Sequence, residues 1–246
     1  MTQLNNMTYF FLDKSTGFAR QQFYDCPTSQ ELLYQPQFSQ IADLPGVQVL
    51  IAPDQVHGTD GIVIQDLEAA LHYKPYSQQA DFVVTNVPGV ALGVATADCL
   101  PMIFYDSCEQ VIAVAHAGWQ GTVQGIAIKT VQAMEHHFGC QPSNITVLFG
   151  PCASVENYEV REDFIAKLRE APCANDSNPH DVVISKNGRL YFDMTGYNRQ
   201  LLEAVGVKNS RYEYNRCTIA DHAFCSYRRE KDDALRQMSI AVLFTK

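Results

Sequence analysis

Three side chains able to bind a metal ion lie where apolar segments of this sequence end. Cys99 precedes the apolar residues 101–105, His116 follows the apolar residues 111–115, and His57 lies in a polar loop further upstream. If the two apolar segments pair as an antiparallel hairpin, their far ends meet. The sequence therefore predicts a thiol and an imidazole at one edge of a buried sheet.

A thiolate and two imidazoles are donors that zinc accepts readily, and three protein ligands with an open fourth position are typical of a catalytic zinc site. Such a centre lowers the pKa of water to around 7. We therefore expect His57, Cys99 and His116 to hold zinc. A second hypothesis needs no metal: Cys99 is a nucleophile, His116 is its base, and the chemistry is acyl transfer or deamidation. Asp98 is expected to form a turn or to support a ligand, because neighbouring side chains on a strand point to opposite faces.

Five further residues are candidates for contact with a substrate. Gly118 and Gly121 flank the start of a predicted helix, whose backbone N–H groups could bind an anion, and their alternative role is a tight turn. Arg228 and Arg229 could bind phosphate bidentately, or form a solvent-exposed pair. Asp81 begins an apolar strand and needs a buried partner, for which a backbone turn is the simpler choice.

Composition excludes several classes of protein. The chain has 246 residues, a net charge of −9 and 46% hydrophobic residues, and it contains no basic run. We therefore expect neither nucleic acid nor membrane as a partner. No apolar run approaches the roughly 20 residues of a membrane span, and the N-terminus lacks a signal-peptide pattern. We expect a cytoplasmic protein whose eight cysteines are reduced thiols.

The order of predicted elements favours one α+β domain over residues 1–246, with mixed or antiparallel sheets and flanking helices. Connections in the strand-rich half are too short for crossover helices. Strands are predicted at 9–12, 47–52, 62–64, 80–85, 145–149, 190–192, 217–218, 224–227 and 239–244, and helices at 29–34, 121–138, 161–170 and 194–205.

Two specific motifs occur in this sequence, TADCLP at residues 96–101 and HAGW at residues 116–119, and further short motifs accompany them. Together they resemble, in type and order, the motifs of the bacterial laccase-domain family, which is also labelled polyphenol oxidase or YfiH. The resemblance covers residues 47–246. Its most specific parts are residues 96–101 (TADCLP) and 116–119 (HAGW), accompanied by residues 55–59 (QVHGT), 150–152 (GPC) and 226–229 (SYRR).

The resemblance implies an α+β fold related to toxin deamidases, with zinc bound through His57, Cys99 and His116. It implies phosphorolysis of adenosine, inosine and methylthioadenosine, and deamination of adenosine. Older assignments for the family are copper-dependent oxidation of phenols and editing of peptidoglycan precursors. This chain departs from the family pattern at Gln120, where the family has arginine, so phosphate binding would rest on Arg228 and Arg229.

We therefore expect a zinc enzyme whose substrates are a purine nucleoside and phosphate. A copper-dependent phenol oxidase is the first alternative, although one two-histidine, one-cysteine site cannot build the trinuclear copper centre of true laccases. The remaining alternatives are a thiol hydrolase acting on amides and a non-catalytic protein with a structural metal. The sequence makes no prediction about oligomeric state.

Overall fold

The computed structural model describes residues 1–170 and 182–245, so Cys173 lies outside the described residues. Fourteen strands are seen in these ranges. In chain order they are β1 (Thr2–Leu4), β2 (Met7–Phe11), β3 (Val49–Ile51), β4 (Gly61–Ile64), β5 (Phe82–Thr85), β6 (Val90–Thr96), β7 (Leu100–Asp106), β8 (Val111–Ala117), β9 (Ile145–Phe149), β10 (Glu159–Val160), β11 (Val183–Lys186), β12 (Arg189–Phe192), β13 (Asn209–Tyr212) and β14 (Gln237–Leu243).

Eight α-helices accompany these strands in the described part of the chain. They are α1 (Ser29–Leu33), α2 (Ser39–Ala42), α3 (Leu67–His72), α4 (Trp119–Val123), α5 (Ile126–Phe138), α6 (Glu162–Arg169), α7 (Met194–Ala204) and α8 (Tyr227–Glu230). None of the helices described has the length and apolar character needed to cross a bilayer.

The strands form two large sheets and a small one. The first large sheet has the order β1-β2-β14-β6-β3, the second has the order β13-β9-β7-β8-β5-β4, and the small sheet is β10-β12-β11. Most neighbours are antiparallel, but β3 with β6, β4 with β5, and β9 with β13 are parallel. This mixture of sheets and helices confirms the predicted α+β class, whereas the single domain over residues 1–246 stays a prediction.

The central strands are buried on both faces, because the two large sheets pack against each other and helices cover the outer faces. On β7, Ile103 and Tyr105 lie in the core between the sheets, whereas Met102 and Phe104 lie in the core shared with α5 and α7. A third core joins the first sheet to the N-terminal helices. Burial on both faces explains the continuous apolar runs that mark these strands in the sequence.

The structure differs from the predicted elements at three places. The helix expected over residues 121–138 is two helices, α4 and α5, because Gly125 adopts a left-handed backbone with φ of 83°. Residues 224–227 do not form the predicted strand. Instead, the Ser226 hydroxyl accepts a hydrogen bond from the Arg229 N–H and caps α8. Residues 217–218 contribute only an isolated bridge between Cys217 and Cys152.

Candidate metal centre and adjoining cavity

The predicted hairpin forms, and it brings the candidate ligands together. Strands β7 and β8 pair antiparallel, with Leu100 opposite Ala117 and Pro101 opposite His116, so Cys99 comes next to His116. The loop after β3 adds His57, whose Nε2 lies 3.8 Å from the Cys99 Sγ. The ligand atoms of the three residues all lie within 4.8 Å of one another.

The chemistry and spacing of these donors fit a zinc ion. A sulfur and an imidazole nitrogen on one tetrahedral zinc lie about 3.6 Å apart, given bonds of about 2.3 and 2.0–2.1 Å. The observed 3.8 Å between Cys99 and His57 is close to that value. The same donors also suit copper, so the His57, Cys99 and His116 group could bind a metal ion, and its geometry does not choose between these metals.

Asp81 holds both histidines in place. Its carboxylate accepts backbone N–H bonds from Val56, His57 and Gly58 at 2.6–3.3 Å, and it lies 2.8 Å from the His116 Nδ1. These bonds support the left-handed backbone of His57, whose φ of 62° is unusual for a residue with a side chain. The bond to Nδ1 leaves the Nε2 of His116 as its ligand atom.

This placement corrects the substrate contact that we expected from Asp81. The residue is completely buried, and its two oxygens are engaged by the chain's own groups. The sequence did indicate that Asp81 needs a buried partner. Its partners are the backbone turn of residues 56–58, which was the simpler alternative, and the His116 ring, so Asp81 positions both candidate histidine ligands.

The protonation of the metal-free centre is set by Cys99 and His116 together. Burial alone would raise the pKa of the Cys99 thiol, but the charge and hydrogen bond of His116, helped by His57, lower this pKa to about 6. Burial would lower the pKa of His116, but the Cys99 thiolate and Asp81 raise it to about 9. Both shifts favour the form of the pair in which Cys99 is a thiolate and His116 an imidazolium.

Gly118 and Gly121 are required here for close packing. A Cβ built on Gly118 would lie 2.5 Å from the Cδ2 of His57 and 3.2 Å from the Sγ of Cys99. A Cβ on Gly121 would lie 2.8 Å from the carbonyl oxygen of Gly58. The structure thus places Gly118 beside the metal ligands, where a side chain would displace them. The anion contact predicted for its backbone stays a prediction.

Asp98 connects the loop of residues 218–228 to the turn that carries Cys99. Its φ of 87° forms the turn between β6 and β7, as expected for a turn residue. Its buried carboxylate accepts hydrogen bonds from the Thr218 hydroxyl, the Ser226 hydroxyl and the Arg228 N–H, at 2.7, 3.1 and 2.6 Å. Because Tyr227 lies between the last two, these bonds fix its position beside the metal ligands.

The two arginines expected to bind phosphate are engaged elsewhere. The Arg229 guanidinium donates to the carbonyl oxygens of Thr218, Ile219 and Phe224, and to the Glu230 carboxylate. The Arg228 Nη1 donates to the carbonyl oxygen of Glu159, and its guanidinium lies over the ring of Tyr158. The Arg229 guanidinium therefore stabilises the loop of residues 218–230, and this placement does not fit the phosphate contact that we expected.

A cavity of about 340 Å³ opens directly onto the three candidate ligands. Its remaining wall residues are Gln55, Ala95, Thr96, Ala97, Tyr227 and Arg236. Sequence analysis missed Thr96, Tyr227 and Arg236. Thr96 and Tyr227 lie inside motifs that were noticed for other residues. Arg236 has no local signal, because strand pairing in the folded chain is what brings it to the cavity.

Comparisons with known proteins find relatives of this chain. A purine nucleoside phosphorylase of Deinococcus radiodurans is 37% identical over 188 residues, which are 76% of this chain and 67% of that relative. The adenosine deaminase RL5, from an unknown prokaryotic organism, is 32% identical over 187 residues, which are 73% of this chain and 70% of that relative. A crystal structure of the Bacillus licheniformis hypothetical protein YfiH matches with a TM-score of 0.78 and 25% identity, covering 97% of this chain and 93% of that one.

The family model described as multi-copper polyphenol oxidoreductase laccase matches residues 35–244. This segment contains His57, Cys99 and His116, and it includes both strands of the hairpin that joins two of them. The likeness to the YfiH structure extends over nearly the whole chain, which confirms the predicted fold. The chain therefore belongs to this laccase-domain family.

Proposed function

We propose that this protein is a zinc-dependent enzyme of purine nucleosides, which phosphorolyses adenosine, inosine and methylthioadenosine and deaminates adenosine. The observation that carries the proposal is the cavity of about 340 Å³ that opens onto the three candidate metal ligands. Two relatives support the same substrate class by their names: the purine nucleoside phosphorylase of Deinococcus radiodurans and the adenosine deaminase RL5. The seven described cysteines are all free, which supports a cytoplasmic location.

The walls of the cavity suit a nucleoside. The methyl groups of Ala95 and Ala97 and the ring of Tyr227 offer apolar and aromatic surface for a planar base. Thr96 and Arg236 add polar side chains to the lining of the cavity. A small number of polar groups in a mostly apolar pocket is typical of small-molecule sites.

Both reactions replace one group on the nucleoside. In deamination, water replaces the amino group of adenosine and ammonia leaves; in phosphorolysis, phosphate replaces the base at the anomeric carbon. Bound zinc would supply a positive charge that activates water or neutralises phosphate. Asp81 orients His116, and the cavity walls position the nucleoside, so much of the rate would come from positioning.

The deciding assay uses purified zinc-loaded protein and adenosine, with and without phosphate. We expect inosine and ammonia without phosphate, and adenine with ribose 1-phosphate when phosphate is present. Cys99→Ser and His57→Ala should abolish both reactions. Cys108→Ser, a change at an exposed cysteine in a turn, is the matched control and should keep them. If wild-type protein yields neither inosine nor free base, the proposal fails. Activity that requires copper and oxidises phenols would favour the phenol oxidase.

A thiol hydrolase is the second candidate, and one contact favours it. Cys99, His116 and Asp81 lie in the order nucleophile, base and orienting carboxylate, with the His116 Nδ1 2.8 Å from Asp81. For this candidate, the metal-free protein should hydrolyse an amide substrate, and zinc should inhibit it. Alkylation of Cys99 should then abolish the hydrolysis.

A further inference from the structure

Among the residues that the structure describes, one wall residue of the cavity beside the candidate metal centre carries a cationic side chain, apart from the candidate ligands. That side chain is Arg236, and neither Arg228 nor Arg229 lines the cavity. The whole chain carries a net charge of −9, so a positive group at this position is not explained by a generally basic surface. Arg236 therefore offers a positive charge to an anion in the cavity.

The backbone and one guanidinium nitrogen fix Arg236 in place. Its N–H donates to the Phe18 carbonyl oxygen at 2.8 Å, and its carbonyl oxygen accepts from the Phe18 N–H at 3.0 Å. The Nη1 donates to the carbonyl oxygens of Ala234 and Leu235 at 2.7 and 3.1 Å. The guanidinium also lies 5.8 Å from the centre of the Tyr227 ring.

The other edge of this guanidinium is available to a ligand. Within residues 1–170 and 182–245, no hydrogen bond or ion pair engages the Nε or Nη2 of Arg236. These two nitrogens form the fork with which arginine binds two oxygens of one phosphate or carboxylate group. The contacts of Nη1 hold the fork in one orientation, which lowers the entropy cost of binding.

A second, independent feature of the same wall points to a polar ligand. The Oγ1 of Thr96 is buried and has no hydrogen-bond partner, although Thr96 lines the cavity. Thr96 stands opposite Gln237 in the pairing of β6 with β14, and Arg236 is the residue that precedes Gln237. The Nε2 of Gln237 also has no partner. Buried polar atoms without partners are rare and costly, which favours a bound group at this position.

We infer that this wall is the phosphate site of the enzyme, with the Arg236 fork on two phosphate oxygens and the Thr96 hydroxyl on a third. This inference rests on the proposed phosphorolysis. A phosphate oxygen forms a bond to the anomeric carbon, the glycosidic C–N bond breaks, and the purine takes the electron pair and a proton. Arg236 neutralises phosphate in the cavity that also holds the nucleoside, a role that the sequence had suggested for Arg228 and Arg229.

The test measures phosphate binding apart from catalysis. Inorganic phosphate is titrated into zinc-loaded and metal-free protein while the melting temperature is followed, and the KM for phosphate is measured in the adenosine assay. Arg236→Gln should weaken phosphate binding and raise this KM by about tenfold to hundredfold, because it removes charge-assisted hydrogen bonds. Arg236→Lys should recover part of the loss. Arg211→Gln, at a surface ion pair on β13, is the matched control and should change neither value.

Thr96→Val provides a second variant that keeps the shape of the side chain. We expect a several-fold loss of phosphate affinity without loss of stability, since the change removes an unpartnered buried hydroxyl. The inference is overturned if phosphate does not stabilise wild-type protein, or if Arg236→Gln leaves phosphate binding unchanged.

Adenosine 5′-monophosphate is titrated in parallel. If it binds through Arg236 while inorganic phosphate does not, the site serves a nucleotide phosphate and the assignment to the co-substrate is wrong. Phosphate binding without turnover would instead count against the proposed function alone.

Discussion

At the scale of single residues, the site depends on Asp81, which touches both histidines and is itself hidden from the cavity. Asp81→Asn keeps the size of the side chain but removes the charge and one acceptor. We expect metal affinity to fall about tenfold to hundredfold, as is typical when the partner of a metal-binding histidine is lost. Competition with a chelator measures this affinity. Asp66→Asn, at the start of α3, is the matched control, because Asp66 caps a helix away from the centre. Equal affinities for wild type and Asp81→Asn would contradict the role given to Asp81.

The pKa values of Cys99 and His116 predict how metal affinity depends on pH. The metal-free pair holds its thiolate above a pKa of about 6 and its imidazolium below a pKa of about 9. A metal needs His116 neutral, so binding releases one proton throughout this range. Affinity should therefore rise by about tenfold for each pH unit between pH 7 and 9. Calorimetry in buffers of different ionisation enthalpy counts the released proton, and a pH-independent affinity would contradict the predicted charge state.

At the scale of elements, the turn from β8 into α4 must pass close to the metal ligands. Gly118→Ala places a methyl group 2.5 Å from the His57 ring, so His57 must move away from Cys99. We expect metal affinity to fall more than tenfold, with far-ultraviolet circular dichroism unchanged.

The matched control for this prediction is Gly139→Ala at the end of α5. Gly139 has a φ of 71° and open space around it, so this variant should lose about 1 kcal/mol of stability and keep its metal affinity. If Gly118→Ala keeps its metal affinity as Gly139→Ala does, the absence of a side chain at position 118 is not required for metal binding.

Elements built from local patterns were predictable from the sequence, whereas contacts between distant segments were not. The β7–β8 hairpin follows from two apolar runs and a short turn, and it brings Cys99 to His116 as expected. The hydrogen bond from Thr218 to Asp98 joins residues 120 positions apart, and no hydrophobic periodicity in the sequence indicates such a contact. The approach of Arg236 to the cavity likewise depends on the pairing of β14 with β6. Such contacts are set by tertiary packing.

At the scale of the whole molecule, the metal centre lies where the chain passes between the two large sheets. His57 is on the connection from β3 in the first sheet to β4 in the second, and Cys99 is on the connection from β6 to β7. His116 is the second-to-last residue of β8 in the second sheet. One ion bound to these three residues would therefore link the β3–β4 and β6–β7 connections to the end of β8. We expect such a metal to stabilise the packing of the two large sheets against each other.

This arrangement predicts a large effect of metal removal on thermal stability. A ligand that binds only the folded state at a thousand times its Kd contributes about 4.1 kcal/mol. For a chain of this size each kcal/mol corresponds to about 2–4 °C, so chelation should lower the Tm by about 8–16 °C. Differential scanning calorimetry with zinc, and again after chelation and dialysis, measures the shift. Cys99→Ser should show almost no response to zinc, because one of three ligands is missing. A wild-type Tm that chelation leaves unchanged would mean that the three residues do not join the sheets through a metal, whatever their distances in the folded chain.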